Sequence, residues 1–356
     1  SVDIYSQFWN PSKYVFSESK SGFGLSYTPY LSKLVNDISL GNLTYFNRIN
    51  ERSAFAVSLR YFSLGEIEIV QDEFSEALIE QPNEMTMDIS YSLRLADQFS
   101  MGVALRYLRS DLKIGAVVPD AKAASSYAVD ISAYFQSEEQ NYGDIDGRWR
   151  GGMIIQNLGP KIKYDESGDD TFLPTNLRLG GGFDFLLDQY NKVSLTAEIT
   201  KLLVPTPPIM GREYNFTDIN GNGIYDEGID ELGELTSSDY VIYQGQDNQD
   251  VNFLSGVFQS FSDAPGGFSE ELKEFTWALG AEYVYDDSFA LRAGYFNESE
   301  DKGARKFLAF GAGFKFSGTK VDLSYLFSAS KVPSPLENTL RFSLTFDFGS
   351  NTYLEY

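Results

Sequence analysis

Leu340-Arg341-Phe342-Ser343-Leu344-Thr345-Phe346-Asp347-Phe348 places an apolar side chain at every second position and a polar or charged one between. Period-two alternation is the pattern of a strand with two unlike faces, because successive side chains on an extended backbone point to opposite sides. Here the apolar face is unbroken and aromatic-rich, which suits lipid, and the other face suits water. The preceding segment repeats the pattern, with Val321, Leu323, Tyr325 and Phe327 opposite Asp322, Ser324 and Ser328.

Working backwards, Phe275, Trp277, Leu279, Ala281, Tyr283 and Tyr285 oppose Thr276, Gly280 and Glu282. Val193, Leu195, Ala197 and Ile199 oppose Ser194, Thr196 and Glu198, and Met87, Ile89, Tyr91, Leu93 and Leu95 oppose Asp88, Ser90, Ser92 and Arg94. The alternation predicts about fourteen strands, near 22–29, 36–48, 52–63, 84–96, 99–112, 125–137, 147–158, 173–186, 190–200, 271–286, 288–297, 303–317, 319–330 and 337–348. Tight links near Asn50, Asp97-Gln98, Leu187-Asp188, Asp286-Asp287 and Gly318 alternate with long ones near 30–35, 64–83, 113–124, 159–172 and 201–270. Short turns on one side and long loops on the other define a transmembrane antiparallel β-barrel of a bacterial outer membrane, with both termini expected in the periplasm. A soluble sandwich or propeller would share the half-buried strands but not this regular alternation of loop lengths. Residues 1–356 therefore read as one all-β barrel domain, with 201–270 as a long extracellular insertion. The Gly151-Gly152 and Gly180-Gly181-Gly182 runs mark places where a barrel bends or a plug packs close.

Composition agrees and narrows the chemistry. The chain has 23 Tyr and 28 Phe but 3 Trp, and no Cys or His. Without Cys or His there is no disulfide, no thiolate or imidazole chemistry, and no Ser-His-Asp, Cys-His or zinc-hydrolase mechanism. A formal net charge of -23 repels phosphate backbones, which excludes nucleic acid as a partner. No stretch approaches the ~18 apolar residues of a membrane helix, and mean hydropathy is -0.25, so a membrane span here must be a barrel. The opening Ser1-Val2-Asp3 carries no basic or apolar leader pattern and reads as a processed or truncated mature end.

Three constellations bear on function. Asp218, Asn220 and Asn222, followed by Gly223 and the Ile224 carbonyl, have the alternate oxygen spacing that wraps a Ca²⁺ ion. Ile229 stands where a bidentate Glu would close an EF-hand, so Asp226 or Asp230 would have to complete the shell; the alternative is a solvated acidic loop. By strand parity Arg94, Arg106, Asp130, Arg178, Asp184, Glu198, Glu282, Arg292, Arg341 and Asp347 point inward and brace the lumen as ion pairs. Finally, Phe253, Leu254, Val257, Phe258 and Phe261 fall at helical one-face spacing inside an acidic loop. Such an apolar face docks a partner or folds back over the barrel mouth.

Particular residues also carry a family resemblance. Phe8-Trp9-Asn10-Pro11-Ser12-Lys13-Tyr14, Leu25-Ser26-Tyr27-Thr28-Pro29-Tyr30, Leu34-Val35-Asn36-Asp37 and Ser58-Leu59-Arg60-Tyr61-Phe62-Ser63-Leu64-Gly65 resemble the PorV outer-membrane proteins of the Bacteroidetes type IX secretion system. Val103-Ala104-Leu105-Arg106-Tyr107, Phe172-Leu173-Pro174-Thr175-Asn176-Leu177-Arg178-Leu179-Gly180 and Lys201-Leu202-Leu203-Val204-Pro205-Thr206 continue the resemblance, which extends from end to end. It implies a fourteen-stranded relative of the FadL fatty-acid channels. The Asn-Pro-Ala motif of the FadL hatch stands here as Asn10-Pro11-Ser12, so residues 1–20 are expected to plug the lumen.

The resemblance further implies a non-enzymatic function. Cargo with a C-terminal signal domain would be accepted from a giant SprA/Sov-type translocon barrel and shuttled to the cell-surface attachment complex. A FadL-type transporter of small hydrophobic molecules is the alternative, which an apolar lumen would favour and the inward charges oppose. Some relatives were named for lipopolysaccharide O-deacylation, but such hydrolases usually need the His this chain lacks.

Overall fold

Strands with one apolar and one polar face bury neither face alone, and in lipid every backbone amide must also be paired, so the sheet closes on itself. The computed structural model describes residues 2–30, 37–70, 77–112, 122–164, 170–212, 214–219, 225, 227–229, 231–235, 241–248, 251–332, 334 and 336–350. Fourteen long strands form the wall: β1 Ser19–Pro29, β2 Ile38–Arg48, β3 Ser53–Leu64, β4 Asn83–Ala96, β5 Phe99–Asp111, β6 Ala124–Gln136 and β7 Asp146–Leu158. They continue as β8 Asn176–Leu186, β9 Asn191–Leu202, β10 Phe275–Tyr285, β11 Phe289–Asn297, β12 Lys306–Phe316, β13 Thr319–Ser328 and β14 Thr339–Ser350. Each pairs antiparallel with its neighbours in sequence, and β14 pairs with β1 (Leu344 opposite Leu25, Phe346 opposite Phe23), which closes the barrel.

The fourteen strands match the predicted ones in number and order, with shifted ends. The eighth begins at Asn176, after Pro174, where the Thr175 amide bonds to the Leu173 carbonyl in a turn (2.6 Å). A helix over Phe268–Glu271 and a 3₁₀ turn over Leu272–Glu274 delay β10 to Phe275. The β6–β7 link, residues 137–145, is longer than the other turns at its end and carries a two-residue strand, Gln140–Asn141, paired on Asp146 and Gly147. Short turns and the first strand's start share one end, the turn end, and the longer links share the other, the loop end. In the turn after β8 the Tyr190 amide and then the Asn191 side chain donate to Asp188 and hold its carboxyl below the usual carboxylate range.

Parity is as the sequence predicts. Leu340, Phe342 and Phe348 are exposed on the outer wall, while Ser343 and Thr345 are buried inside. Aromatic clusters ring both ends of the apolar belt: Trp149, Phe183 and Phe185 at the turn end, with 4.7 Å centroid separations, and Tyr107–Tyr127 and Trp277–Tyr295 at the loop end, each 5.4 Å apart. Aromatic rings gather at the two interfaces of a bilayer because they are apolar in body and polar at the edge.

Residues Leu203–Leu272 form a compact unit of their own, where the sequence shows an insertion over 201–270. Two short antiparallel pairs, Ile209–Gly211 with Val241–Gln244 and Tyr214–Thr217 with Glu231–Leu235, accompany a helix over Phe253–Gln259. Buried carboxylates tie its backbone together: Asp263 accepts from the Thr206 amide (3.0 Å) and Glu271 from the Ala264 amide (2.8 Å).

Candidate functional site: a plugged, ion-paired lumen and an apolar helix

The inner wall is lined with small hydroxyls, and the N-terminal segment is built to fit them. Ser6–Trp9 is one helical turn and Pro11–Phe16 a 3₁₀ helix, with Asn10 extended between them. Asn10 caps the second turn by accepting from the Ser12 amide (3.1 Å), and Pro11 supplies the fixed φ at its first position. Tyr14 is fully buried; its hydroxyl donates to the Ile4 carbonyl (2.6 Å), accepts from the Gln7 amide (2.7 Å), and its ring stacks on Phe46 at 4.9 Å.

Wall side chains complete the plug's backbone. Ser92 donates to the Pro11 carbonyl (2.7 Å), Ser100 to the Ser12 carbonyl (2.7 Å) and Gln156 to the Phe8 carbonyl (2.7 Å). Asn10 in turn donates to the Ala133 carbonyl of β6 (2.9 Å), and Ser90 bonds to Gln7. Close approach depends on glycine: a Cβ on Gly102 would lie 3.0 Å from the Ser12 nitrogen, and one on Gly24 2.8 Å from Ile4. Gly152, from one of the predicted runs, faces Asn10 in the same way. Three wall arginines cover the plug's aromatic rings, Arg60 on Phe8 (4.2 Å), Arg178 on Trp9 (4.8 Å) and Arg94 on Phe16 (5.2 Å).

The ten inward charges predicted by parity all face the lumen, and the register shows their partners. Arg106 sits fully inside between Asp88 and Asp130, 3.0 Å from the latter, and Asp130 also accepts from the Asn157 amide (2.8 Å) at a bulge where Asn157 has φ 59°. Arg292 bridges Glu282 (2.5 Å) and Asp322 (2.6 Å). Arg150 and Arg148 share Asp184 (2.7 and 3.2 Å), and Arg178 pairs with Glu198 (3.2 Å). Sequence reading missed Arg60, Arg148, Arg150 and Asp322 as network members; each lies on the polar parity of its strand, so a register would have found them. The plug rests against β2–β7, and a cavity of about 780 Å³ remains, lined by charged and hydroxyl side chains including Glu282, Arg292, Arg341 and Asp347 together with apolar ones including Phe8, Phe46 and Phe310.

In the Leu203–Leu272 unit the apolar segment is helical, with Asn252 capping the Ser255 amide (3.0 Å). Its five predicted contact residues do not share one face. Leu254, Phe258 and Phe261, spaced by four and three residues, are exposed, Phe258 at 77%, whereas Phe253 and Val257 are half-buried beside the buried Gly256 and Ser260. Phe268 (77% exposed) and Leu272 are further exposed apolar residues of this unit, which the sequence reading did not single out. Of the proposed Ca²⁺ ligands only Asp218 is described, half-buried after the strand Tyr214–Thr217; Asn220, Asn222, Ile224, Asp226 and Asp230 lie outside the described residues.

A closed antiparallel barrel with an apolar outer belt, aromatic girdles and a charged interior belongs to the integral β-barrel proteins of the outer membrane. The chain belongs to the family of the type IX secretion system protein PorV, whose model matches residues 1–209. It is a component of that secretion machinery and not an enzyme. The match covers more than half the chain, where the sequence reading carried the likeness to the C-terminus.

Solved barrels are also similar. The FadL homologue of Pseudomonas aeruginosa is 14% identical, with 98% of this chain and 94% of that one covered and a TM-score of 0.45. The toluene transporter TodX of Pseudomonas putida is 10% identical (96% and 91% covered, TM-score 0.47), and the Ralstonia pickettii toluene transporter TbuX is 10% identical (98% and 94%, TM-score 0.48). A comparison with curated proteins found no match.

Proposed function

We propose that this barrel is a cargo receptor and shuttle of type IX secretion. It accepts secreted proteins by their C-terminal signal domain at the SprA/Sov-type translocon barrel and passes them to the cell-surface attachment complex. The observation that carries this reading is the exposed Leu254-Phe258-Phe261 face on a separate unit of a barrel whose lumen is plugged. An apolar face of aromatic anchors in water is a binding surface by default, and loops held on a rigid scaffold are where binding is usually placed. The occupant we assign to it is the cargo's signal domain. On this reading the termini and turn end are periplasmic, and the loop end with residues 203–272 is extracellular.

Transport of small hydrophobic molecules through a lateral opening has less support. Among the described residues each pair of wall strands runs in continuous register apart from irregularities near Leu95 and between Ile155 and Leu158, and the remaining cavity, although partly lined by apolar side chains such as Phe8, Phe46 and Phe310, is crossed by the Arg292–Glu282 and Arg292–Asp322 ion pairs. An apolar solute there would strip water from these ions, which is costly.

The test is co-purification from detergent-solubilised outer membranes. Replacing Leu254, Phe258 and Phe261 with Ser should leave a heat-modifiable barrel and strongly reduce recovery of cargo. Loss of the translocon with cargo retained would reassign the face to the translocon, and unchanged recovery of both would overturn the reading.

A further inference from the structure

Among the lumen's charge clusters, two close to neutrality. Arg60 and Arg106 balance Asp88 and Asp130, and Arg292 and Lys320 balance Glu282 and Asp322. The third does not. Arg148, Arg150, Arg178 and Lys13 meet only Asp184, Glu198 and the exposed turn residue Glu139, which is 3.7 Å from Arg148. Lys13, on the plug, has no carboxylate partner among the described residues, and Asp3 is engaged by the Tyr5 amide (2.9 Å).

While Arg148 lines the large cavity, Lys13, Arg150 and Arg178 converge, with Glu198 as the one carboxylate among the described lining residues, on a second, smaller cavity of about 80 Å³ between plug and wall. Its floor is side-chain-free because Gly152 and Gly180 oppose each other across β7 and β8, with Gly182 alongside. Donors are left over: the Arg150 side chain is nine-tenths buried with its Nε unmatched by any described acceptor, and Arg178 Nη1 likewise makes no hydrogen bond among the described residues, while Arg178 Nε faces Glu198 (3.2 Å). Buried guanidinium N–H groups without acceptors are costly, and their planar geometry matches an oxyanion. Two other cations without a carboxylate partner among the described residues, Lys192 and Arg341, line the large cavity, where water can serve them.

We propose that this cavity binds a small inorganic oxyanion of the phosphate or sulfate type, held by Lys13 from the plug and Arg150 and Arg178 from the wall. The volume admits such an ion or a few waters and is far too small for an acyl chain. The bound ion fastens the plug to the β7–β8 wall, since one of its ligands lies on the N-terminal segment and two on the strands.

The test titrates inorganic phosphate into the purified full-length protein by calorimetry, with chloride at matched ionic strength as the control. Saturable heat is expected with phosphate alone, together with slower proteolysis of the N-terminal segment. Lys13→Gln and Arg178→Gln should each weaken binding roughly tenfold. Gly180→Val keeps every charge but fills the floor, and a Cβ there would meet nothing closer than 3.4 Å, so the wall should hold while binding is lost. No saturable heat at millimolar phosphate in the wild type, or binding by Gly180→Val equal to the wild type's, overturns the proposal.

Discussion

Leu344 and Ser343 are neighbours in one strand, so exchanging each for Arg measures the two faces of the wall at the same depth. Leu344 stands midway along β14, opposite Leu25 of β1 and Val321 of β13, on the apolar outer face. An Arg there has hydrocarbon on every side and no carboxylate within the same row, and near the midplane this costs roughly 2–4 kcal/mol, or about a 30- to 900-fold loss in the folding equilibrium. Ser343 points into the large cavity, with Asp322 opposite it on β13. An Arg there keeps its hydration and gains a carboxylate neighbour already shared by Arg292 and Lys320, so its cost should stay below about 1 kcal/mol. The assay is urea-driven unfolding in detergent or lipid vesicles, followed by loss of the heat-modifiable band. Equal midpoints for Leu344→Arg and Ser343→Arg, or the reverse order, would refute both the register and the lipid-facing assignment.

Arg106→Leu should destabilise the barrel by about 3–5 kcal/mol, because it strands Asp88 and Asp130 inside, and Asp88→Asn with Asp130→Asn added should recover part of that loss in the same unfolding assay. Gly102→Val should dislodge the plug, since even a Cβ would press to 3.0 Å on Ser12; faster proteolysis of residues before Ser19 without loss of the barrel band is the expected result. For the proposed Ca²⁺ site of Asp218, Asn220, Asn222, Ile224, Asp226 and Asp230, calorimetry should show a Ca²⁺ heat at millimolar ion that Asp218→Ala abolishes, and no Asp218-dependent heat would remove the site. Because the chain has no Cys, a single introduced thiol reports topology: Tyr243→Cys should label on intact cells and Asp287→Cys only after lysis, and the opposite pattern would invert the proposed orientation.

Period-two alternation determined most of the wall before any coordinates were known, because lipid on one side and water on the other force every residue of a strand such as Leu340–Phe348 to declare its face. Fourteen strands, their order and the inward set from Arg94 to Asp347 follow from that constraint alone. Strand ends were less legible at Asn176, Phe275 and Lys306, where a turn or helix precedes the strand and alternation alone does not mark the boundary. Which charges pair was not legible at all: Arg106 meets Asp130, and Arg292 meets both Glu282 and Asp322, only once adjacent strands fix their register. Helical spacing located Phe253–Gln259 but not its orientation; packing of Gly256 and Ser260 decided that Leu254, Phe258 and Phe261 face water while Phe253 and Val257 turn partly inward. The surplus of positive charge under the plug lies furthest from the sequence, since Lys13 and Arg178 are distant in the chain and meet only because the N-terminal segment folds into the lumen, where hydroxyls and glycines leave it room.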